Sequence, residues 1–324
     1  MLIASAAMFA GFLILIWSAD RFVAGAAAIA CNLGLPPVII GLTIVSIGTS
    51  APEILVSIAA ALTGAGELAV GNAIGSNIAN IGLVLGCTAL VAPLVVLRRT
   101  IQNELALLLV VTVAAGLLLG DGTLSVIDGG LMLAALVFSL GYMLRSQSTD
   151  LELGAATAED GPAQIGLAKA WLIFVLGLVL LIASSRLLVW GAVTAASILG
   201  VSELVIGLTV VAVGTSLPEL AASTTSALRG HSEIALGNVV GSNLFNLLAV
   251  MPIPGLLGPE ILDGAVMTRD YPVMLALTLA LALALYLGGK RRAAPAGHAY
   301  LGRLTGVLLV IIYALYYCWL YLTL

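Results

Sequence analysis

Two glutamates, Glu53 and Glu219, each stand inside an apolar segment at the end of a nearly repeated phrase, GLTIVSIGTSAPE at 41–53 and GLTVVAVGTSLPE at 207–219. An ionised carboxylate at membrane depth is costly, and where it occurs it marks an ion or substrate pathway. Nine of the thirteen positions are identical. The identities fall mainly on Gly, Thr, Ser, Pro and Glu rather than on the aliphatic residues any two apolar helices share. Pro52 and Pro218 have no N–H and crowd the carbonyl four residues earlier, so the carbonyls of Gly48 and Gly214 lose their helical partners and each helix breaks. Freed carbonyls persist at this depth only when buried in protein or lining a cavity. Together with the hydroxyls of Thr49, Ser50, Thr215 and Ser216 and the two carboxylates, they compose an all-oxygen ligand set suited to Ca²⁺ or Na⁺. The plainer reading of Ser50 with Glu53, and of Ser216 with Glu219, is a capping box that closes a half-helix. Two repeat-related carboxylates facing one another would repel without a cation or protons between them, which favours the ion site.

The similarity resumes at the same offset of 166 residues in ELAVGNAIGSNIAN at 67–80 and EIALGNVVGSNLFN at 233–246. Asn72, Ser76, Asn77 and Asn80, and likewise Asn238, Ser242, Asn243 and Asn246, lie largely along one helical stripe and could add amide and hydroxyl ligands. The pairs Gly71 with Gly75 and Gly237 with Gly241 read as G-x-x-x-G sites of close helix packing, and both readings can hold together.

The elements that must position these groups belong to a bilayer. A chain of 324 residues that is 61% hydrophobic and 9% charged, with mean hydropathy +1.20, cannot build a water-soluble globule. With about 20 apolar residues per span, helices are expected near 3–30, 36–62, 67–91, 101–119 and 124–144, and again near 165–197, 203–228, 233–257, 270–288 and 301–323. The N-terminal stretch lacks the basic start of a cleaved signal and reads as the first span. The expected fold is an all-α polytopic membrane protein of ten transmembrane helices: a first five-helix repeat at 1–144, a cytoplasmic linker at 145–164 and a second five-helix repeat at 165–324. Because five is odd, the halves would enter from opposite faces and form an inverted-topology repeat, with broken helices at the GTSxPE motifs.

Lysine and arginine accumulate on the cytoplasmic side. Placing both termini outside puts Arg98, Arg99, Arg145, Lys169, Arg229, Lys290, Arg291, Arg292 and Arg303 inside and leaves Arg269 outside. Asp20, Arg21 and Arg186 fall within helices and suit structural pairing or snorkelling. Glu67 and Glu233 open helices, where an acidic first turn complements the dipole, and Glu104 and Asp128 are left without assignment. The net charge of −4 does not suggest a nucleic-acid partner. Cys31, Cys87 and Cys318 have no metal-ligand spacing and read as packing residues. No activated nucleophile or zinc motif appears, so an intramembrane enzyme is disfavoured. No resident cofactor and no obligatory protein partner are expected.

On the paired GTSxPE and GNxxGSNxxN motifs, the chain resembles the prokaryotic sodium/calcium exchangers of the cation/Ca²⁺ antiporter superfamily along essentially its whole length. The resemblance implies an inner-membrane antiporter in which Glu53 and Glu219 ligate Ca²⁺ with the carbonyls of Thr49 and Thr215. It implies flanking Na⁺ sites built from the carbonyls of Ser46 and Ala212 with the help of Ser50, Ser216, Ser76 and Ser242, and it places Asn80 and Asn246 in the middle of the cluster. Many members carry aspartate where this chain has Asn246, which lowers the negative charge and argues against K⁺ cotransport. With the family's usual ratio of about three Na⁺ per Ca²⁺, the site would carry about +1 with Na⁺ and none with Ca²⁺, so exchange would be electrogenic. The alternative is an H⁺/Ca²⁺ or other divalent-cation exchanger. A histidine-assisted proton route has little to draw on, with only His231 and His298 present.

Overall fold

A computed structural model describes residues 1–148, 165–201, 212–289 and 295–323. Helix α1 (Leu2–Leu33) is followed by α2 (Pro37–Thr49) and α3 (Ala51–Leu62), then by α4 (Gly66–Val91), α5 (Arg98–Leu118) and α6 (Val126–Ser148). The later elements are α7 (Leu167–Ile198), α8 (Ala212–Thr215), α9 (Leu217–Leu228), α10 (Ser232–Leu257), α11 (Val266–Gly288) and α12 (Arg303–Thr323). Among the described residues eight helices are long and apolar enough to cross a bilayer, or nine when α2 and α3, bent by 43°, count as one span. Of the seventh expected span, near 203–228, only α8 and α9 fall in the described residues, because 202–211 lie outside them. So does most of the expected linker, although α6 carries on through Ser148, four residues beyond its expected end.

Burial runs opposite to that of a water-soluble protein. Phe9, Leu117, Val137, Phe138, Leu315 and Leu322 are exposed on the outside, whereas Glu53, Glu219 and a set of serines and asparagines are enclosed. The apolar exterior suits lipid, which offers no hydrogen bonds, so polar groups gather inside. Helices α10 and α4 are the central ones, with 94% and 72% of their most apolar stretches buried, against 28% for α1 and α7. These two peripheral helices are 32 residues each, long enough at 1.5 Å per residue for about 48 Å and hence for a tilted crossing. They pack on one another around Leu15, Phe22, Phe174 and Leu181, in an apolar cluster distinct from the main core. Phe22 and Phe174 stack at 4.7 Å.

Two short antiparallel sheets were not anticipated. Strand β1 (Leu94–Leu97) pairs with β4 (His298–Leu301), and β2 (Thr123–Leu124) pairs with β3 (Glu260–Ile261). Each lies where a helix has ended and the backbone needs new partners.

Contacts between the halves come in pairs that the 166-residue offset interconverts. A Cβ on Gly25 would stand 2.6 Å from the Phe174 nitrogen, and one on Gly177 2.6 Å from that of Phe22; Gly11 meets Leu188, while Gly191 meets Met8. Glu67 accepts from the Asp263 N–H at 3.0 Å, and Glu233 from the Leu97 N–H at 3.4 Å. These two glutamates therefore tie the halves together as well as opening their helices.

Candidate cation site

At both breaks the backbone takes the same shape. Ser50 (φ −83°, ψ 2°) and Ser216 (φ −88°, ψ 4°) stand before helices that carry proline in the first turn, and neither makes a side-chain cap. The Ser50 N–H reaches the Ser46 carbonyl at 2.9 Å, and the Ser216 N–H that of Val213 at 3.1 Å. The capping box, the plainer of the two readings, is therefore not formed at either break. Both serine hydroxyls, the Glu53 Oε2 and both Glu219 carboxylate oxygens are buried without a hydrogen-bond partner among the described residues. The carbonyl of Gly214, freed by Pro218, accepts the Ser185 hydroxyl of α7 at 3.2 Å. The repeat-related position of Ser185 is Ala19, which has no hydroxyl to offer Gly48.

Glu53 and Glu219 are each only 1% exposed. Glu219 lies close enough to Glu53 for the two charges to repel, and it faces Thr49 and Ser50 of the other half, although neither hydroxyl makes a well-formed hydrogen bond to it. The segment Ser46–Thr49 packs on the Ser232–Phe245 part of α10, and α8 packs on the Gly66–Ala79 part of α4. In the same crossed manner α3 meets the turn Asn246–Val250, and α9 meets Asn80–Leu85. Those two stretches are π-helical and begin at the repeat-related Asn80 and Asn246. A π-turn is a local widening that recurs at functional sites.

The amides divide between bracing and openness. Asn80 donates to the Asn243 side-chain oxygen at 3.1 Å, and Asn77 to the Asn243 backbone carbonyl at 3.2 Å, so α4 and α10 are cross-tied in the centre. The Asn80 Oδ1, both polar atoms of Asn246 and the Ser242 hydroxyl are buried without partners among the described residues. Ser46 turns its hydroxyl back to the Leu42 carbonyl at 2.6 Å, and its Oγ is one of the atoms against Gly241, where a Cβ would not fit. Gly237 likewise meets the Val38 carbonyl, so this glycine pair does provide the close approach its spacing suggested. Ser76 is buried on α4, Thr215 is half-buried at the end of α8, and Ala212 begins α8. Glu219 lies near Glu53, Thr49 and Ser50, and Ser46, Asn80 and Asn246 lie on segments that pack around the two breaks.

Sequence reasoning named Thr49 and Asn238 but missed Ser57 and Ser223, the hydroxyls that brace the site. Thr49 donates to the Asn238 Oδ1 at 3.0 Å, and the Asn238 amide donates to Ser223 at 2.9 Å. Ser57 donates to the Val250 carbonyl at 2.9 Å. Ser57 and Ser223 are themselves 166 residues apart, and that coincidence was the signal to be had. Elsewhere, Asp128 caps α6 by accepting from the Ser125 N–H at 2.9 Å. Asp20 pairs with Arg229, and Arg21 lies over Trp17 at 5.5 Å. Glu104 is fully buried in α5. Cys31 and Cys318 are exposed and Cys87 is half-buried, all as free thiols.

The family model described as "Sodium/calcium exchanger protein" matches residues 3–145 and 169–322. The "Putative antiporter CaxA" of Alkalimonas amylolytica is 50% identical over 298 residues, covering 90% of this chain and 93% of that protein. The "Inner membrane protein YrbG" of Escherichia coli (strain K12) is 40% identical, covering 98% of each. Among solved structures, the sodium-calcium exchanger NCX_Mj soaked with zero Na⁺ and Ca²⁺ superposes with a TM-score of 0.82 at 29% identity, over 97% of this chain and 98% of that one.

Proposed function

Since the chain belongs to the sodium/calcium exchanger family, and is thereby an integral membrane cation/Ca²⁺ antiporter, we propose that it exchanges Na⁺ for Ca²⁺ at the Glu53–Glu219 site by alternating access. The observation that carries this reading is a set of enclosed oxygens without protein partners among the described residues, contributed by both halves around two carboxylates. A buried polar atom costs about 1–3 kcal/mol when nothing satisfies it, and a cation satisfies many such oxygens at once.

In this reading Ca²⁺ is held by Glu53 and Glu219 with the carbonyls of Thr49 and Thr215. Na⁺ competes for the same carboxylates and occupies flanking positions at the carbonyls of Ser46 and Ala212 and the hydroxyls of Ser50, Ser216, Ser76 and Ser242, with Asn80 and Asn246 between them. Both ions are cargo, and no resident cofactor is needed. Emptying the site leaves two like charges at low dielectric, so the crossing step requires a cation and uniport is suppressed. The reciprocal contacts 166 residues apart support inverted repeats of five helices, because exchanging the halves maps each contact onto its mate. The packing of α1 on α7 at Phe22 and Phe174, with far less of either helix enclosed than of α4 or α10, supports these two helices as the body that shifts, sliding over apolar contacts with Ile40, Val45, Ala222 and Ile234. The positive-inside bias supports termini outside, in the inner membrane.

Binding can be read by thermal unfolding of the purified protein in detergent. Ca²⁺ at about 100 times its Kd adds roughly 2.7 kcal/mol of stability, so the melting temperature should rise. Glu53→Gln and Glu219→Gln should each abolish the rise, and Na⁺ should reduce it competitively at constant pH. A rise that survives both substitutions would move the site elsewhere; one insensitive to Na⁺ but erased by acid would favour proton coupling.

A further inference from the structure

The two GTSxPE turns are chemically alike but differently braced. Thr49 has one hydroxyl proton; the Asn238 Oδ1 at 3.0 Å takes it rather than the Ser46 carbonyl at 3.4 Å. Asn238 is then held by Ser223 at 2.9 Å, so a chain of side chains from the second half grips the broken turn of the first. The offset maps this chain onto Thr215, Asn72 and Ser57. There the final link is not made. Ser57 points to the Val250 carbonyl at 2.9 Å, and the Asn72 amide nitrogen is buried without a partner among the described residues. The diversion has a cause in the sequence. In an α-helix the Val250 carbonyl would accept from residue 254, which is a proline without an N–H. The hydroxyl of Ser57 fills that gap. In the first half the equivalent carbonyl, Val84, precedes Thr88 by four residues, and Thr88 has its N–H, so Ser223 stays free for Asn238.

We propose that Asn238 is a positioning residue for cation binding, holding Thr49 from the opposite half through Ser223, and that Pro254 denies the mirror-image Asn72 this role by drawing Ser57 away. The proposal rests on the reading that Thr49 contributes its carbonyl to the ion. A turn that lacks helical hydrogen bonds keeps a carbonyl aimed only if something else fixes it, and a preorganised ligand loses less entropy on binding. The halves are therefore unequal in the contacts behind the site although their motifs match.

Ca²⁺ titration calorimetry and thermal unfolding of the same detergent-purified variants separate the two roles. Ser223→Ala should weaken Ca²⁺ binding about three- to tenfold and lower the melting temperature no more than Ser57→Ala does, since each leaves one buried polar group, the Asn238 amide or the Val250 carbonyl, without its partner. Ser57→Ala should leave the Ca²⁺ Kd within about twofold but lower the melting temperature by several degrees, because the Val250 carbonyl loses its donor. Adding Pro254→Ala to Ser57→Ala should restore the melting temperature by returning an N–H to position 254. Asn238→Ala and Thr49→Val should each weaken binding, and the double variant should be no worse than the poorer single one, as expected of residues in one chain. Equal loss of affinity in Ser57→Ala and Ser223→Ala, or additive effects of Asn238→Ala and Thr49→Val, would overturn the proposal. Glu53→Gln run alongside tells the failures apart: Ca²⁺ binding retained in that variant refutes the site itself, whereas binding lost there with the serines behaving alike refutes only the positioning role.

Discussion

Ser50 and Ser216 bond to nothing through their side chains among the described residues, which turns a burial oddity into a test. If their hydroxyls serve the ions, removing them costs no internal hydrogen bond. Ser50→Ala and Ser216→Ala should therefore melt within a degree or two of the parent yet need severalfold more Na⁺ for half-maximal exchange, about 1 kcal/mol per lost ligand. A loss of stability without a change in Na⁺ dependence would assign them to the fold. The candidate site residues stood out in the sequence because apolar packing alone does not call for the same polar residues twice, at one fixed offset, inside membrane helices. Ser57, Ser185 and Ser223 did not, since a lone hydroxyl in a membrane helix most often bonds back to its own turn, as Ser18 does to Leu15 and Ser184 to Leu181. Nothing local separates those from Ser185, which instead serves Gly214.

At the scale of elements, hydropathy marked the helices well, because about 20 apolar residues in sequence leave little choice. It did not reveal the π-turns at Asn80–Leu85 and Asn246–Val250, whose geometry depends on how α4 and α10 meet α9 and α3. The small strands escaped for a similar reason: Leu94–Leu97 pairs with a segment about 200 residues away, and local propensity carries no such information. The proline breaks were legible, but not how each freed carbonyl is served. Ser185→Ala removes the donor to Gly214 in α8 and should cost about 1–3 kcal/mol, a buried carbonyl left unsatisfied. Thermal unfolding checks this, and Ser185→Thr, which keeps a hydroxyl, should recover most of the loss. If Ser185→Ala melts like the parent, water or another group already serves that carbonyl.

For the molecule as a whole, the offset of 166 residues runs through the helix crossings and the Glu67 and Glu233 ties, and it relates β1 to β3, although their partner strands β4 and β2 do not share it. Parity of the span count suggested opposed halves from the sequence, but which residues meet between the halves depends on side-chain packing and could not be read in advance. The halves also differ in charge. Asp20 pairs with Arg229, while the equivalent positions are Arg186 and Thr63, so an ion pair joins α1 to the end of α9, and α7 and the end of α3 carry no residues for its counterpart. Exchange of about three Na⁺ for one Ca²⁺ carries one net charge per cycle, worth about 2.3 kcal/mol per 100 mV. With Na⁺ inside vesicles, an interior-positive potential should then speed Ca²⁺ entry; indifference to voltage would mean electroneutral coupling. The most direct test of the central claim is radiolabelled Ca²⁺ uptake into proteoliposomes loaded with Na⁺ and diluted into Na⁺-free buffer, with Glu53→Gln and Glu219→Gln in parallel. The account predicts uptake that requires internal Na⁺ and disappears in both variants. Uptake that ignores Na⁺ and follows a pH gradient, or that persists when either glutamate is neutralised, would contradict it.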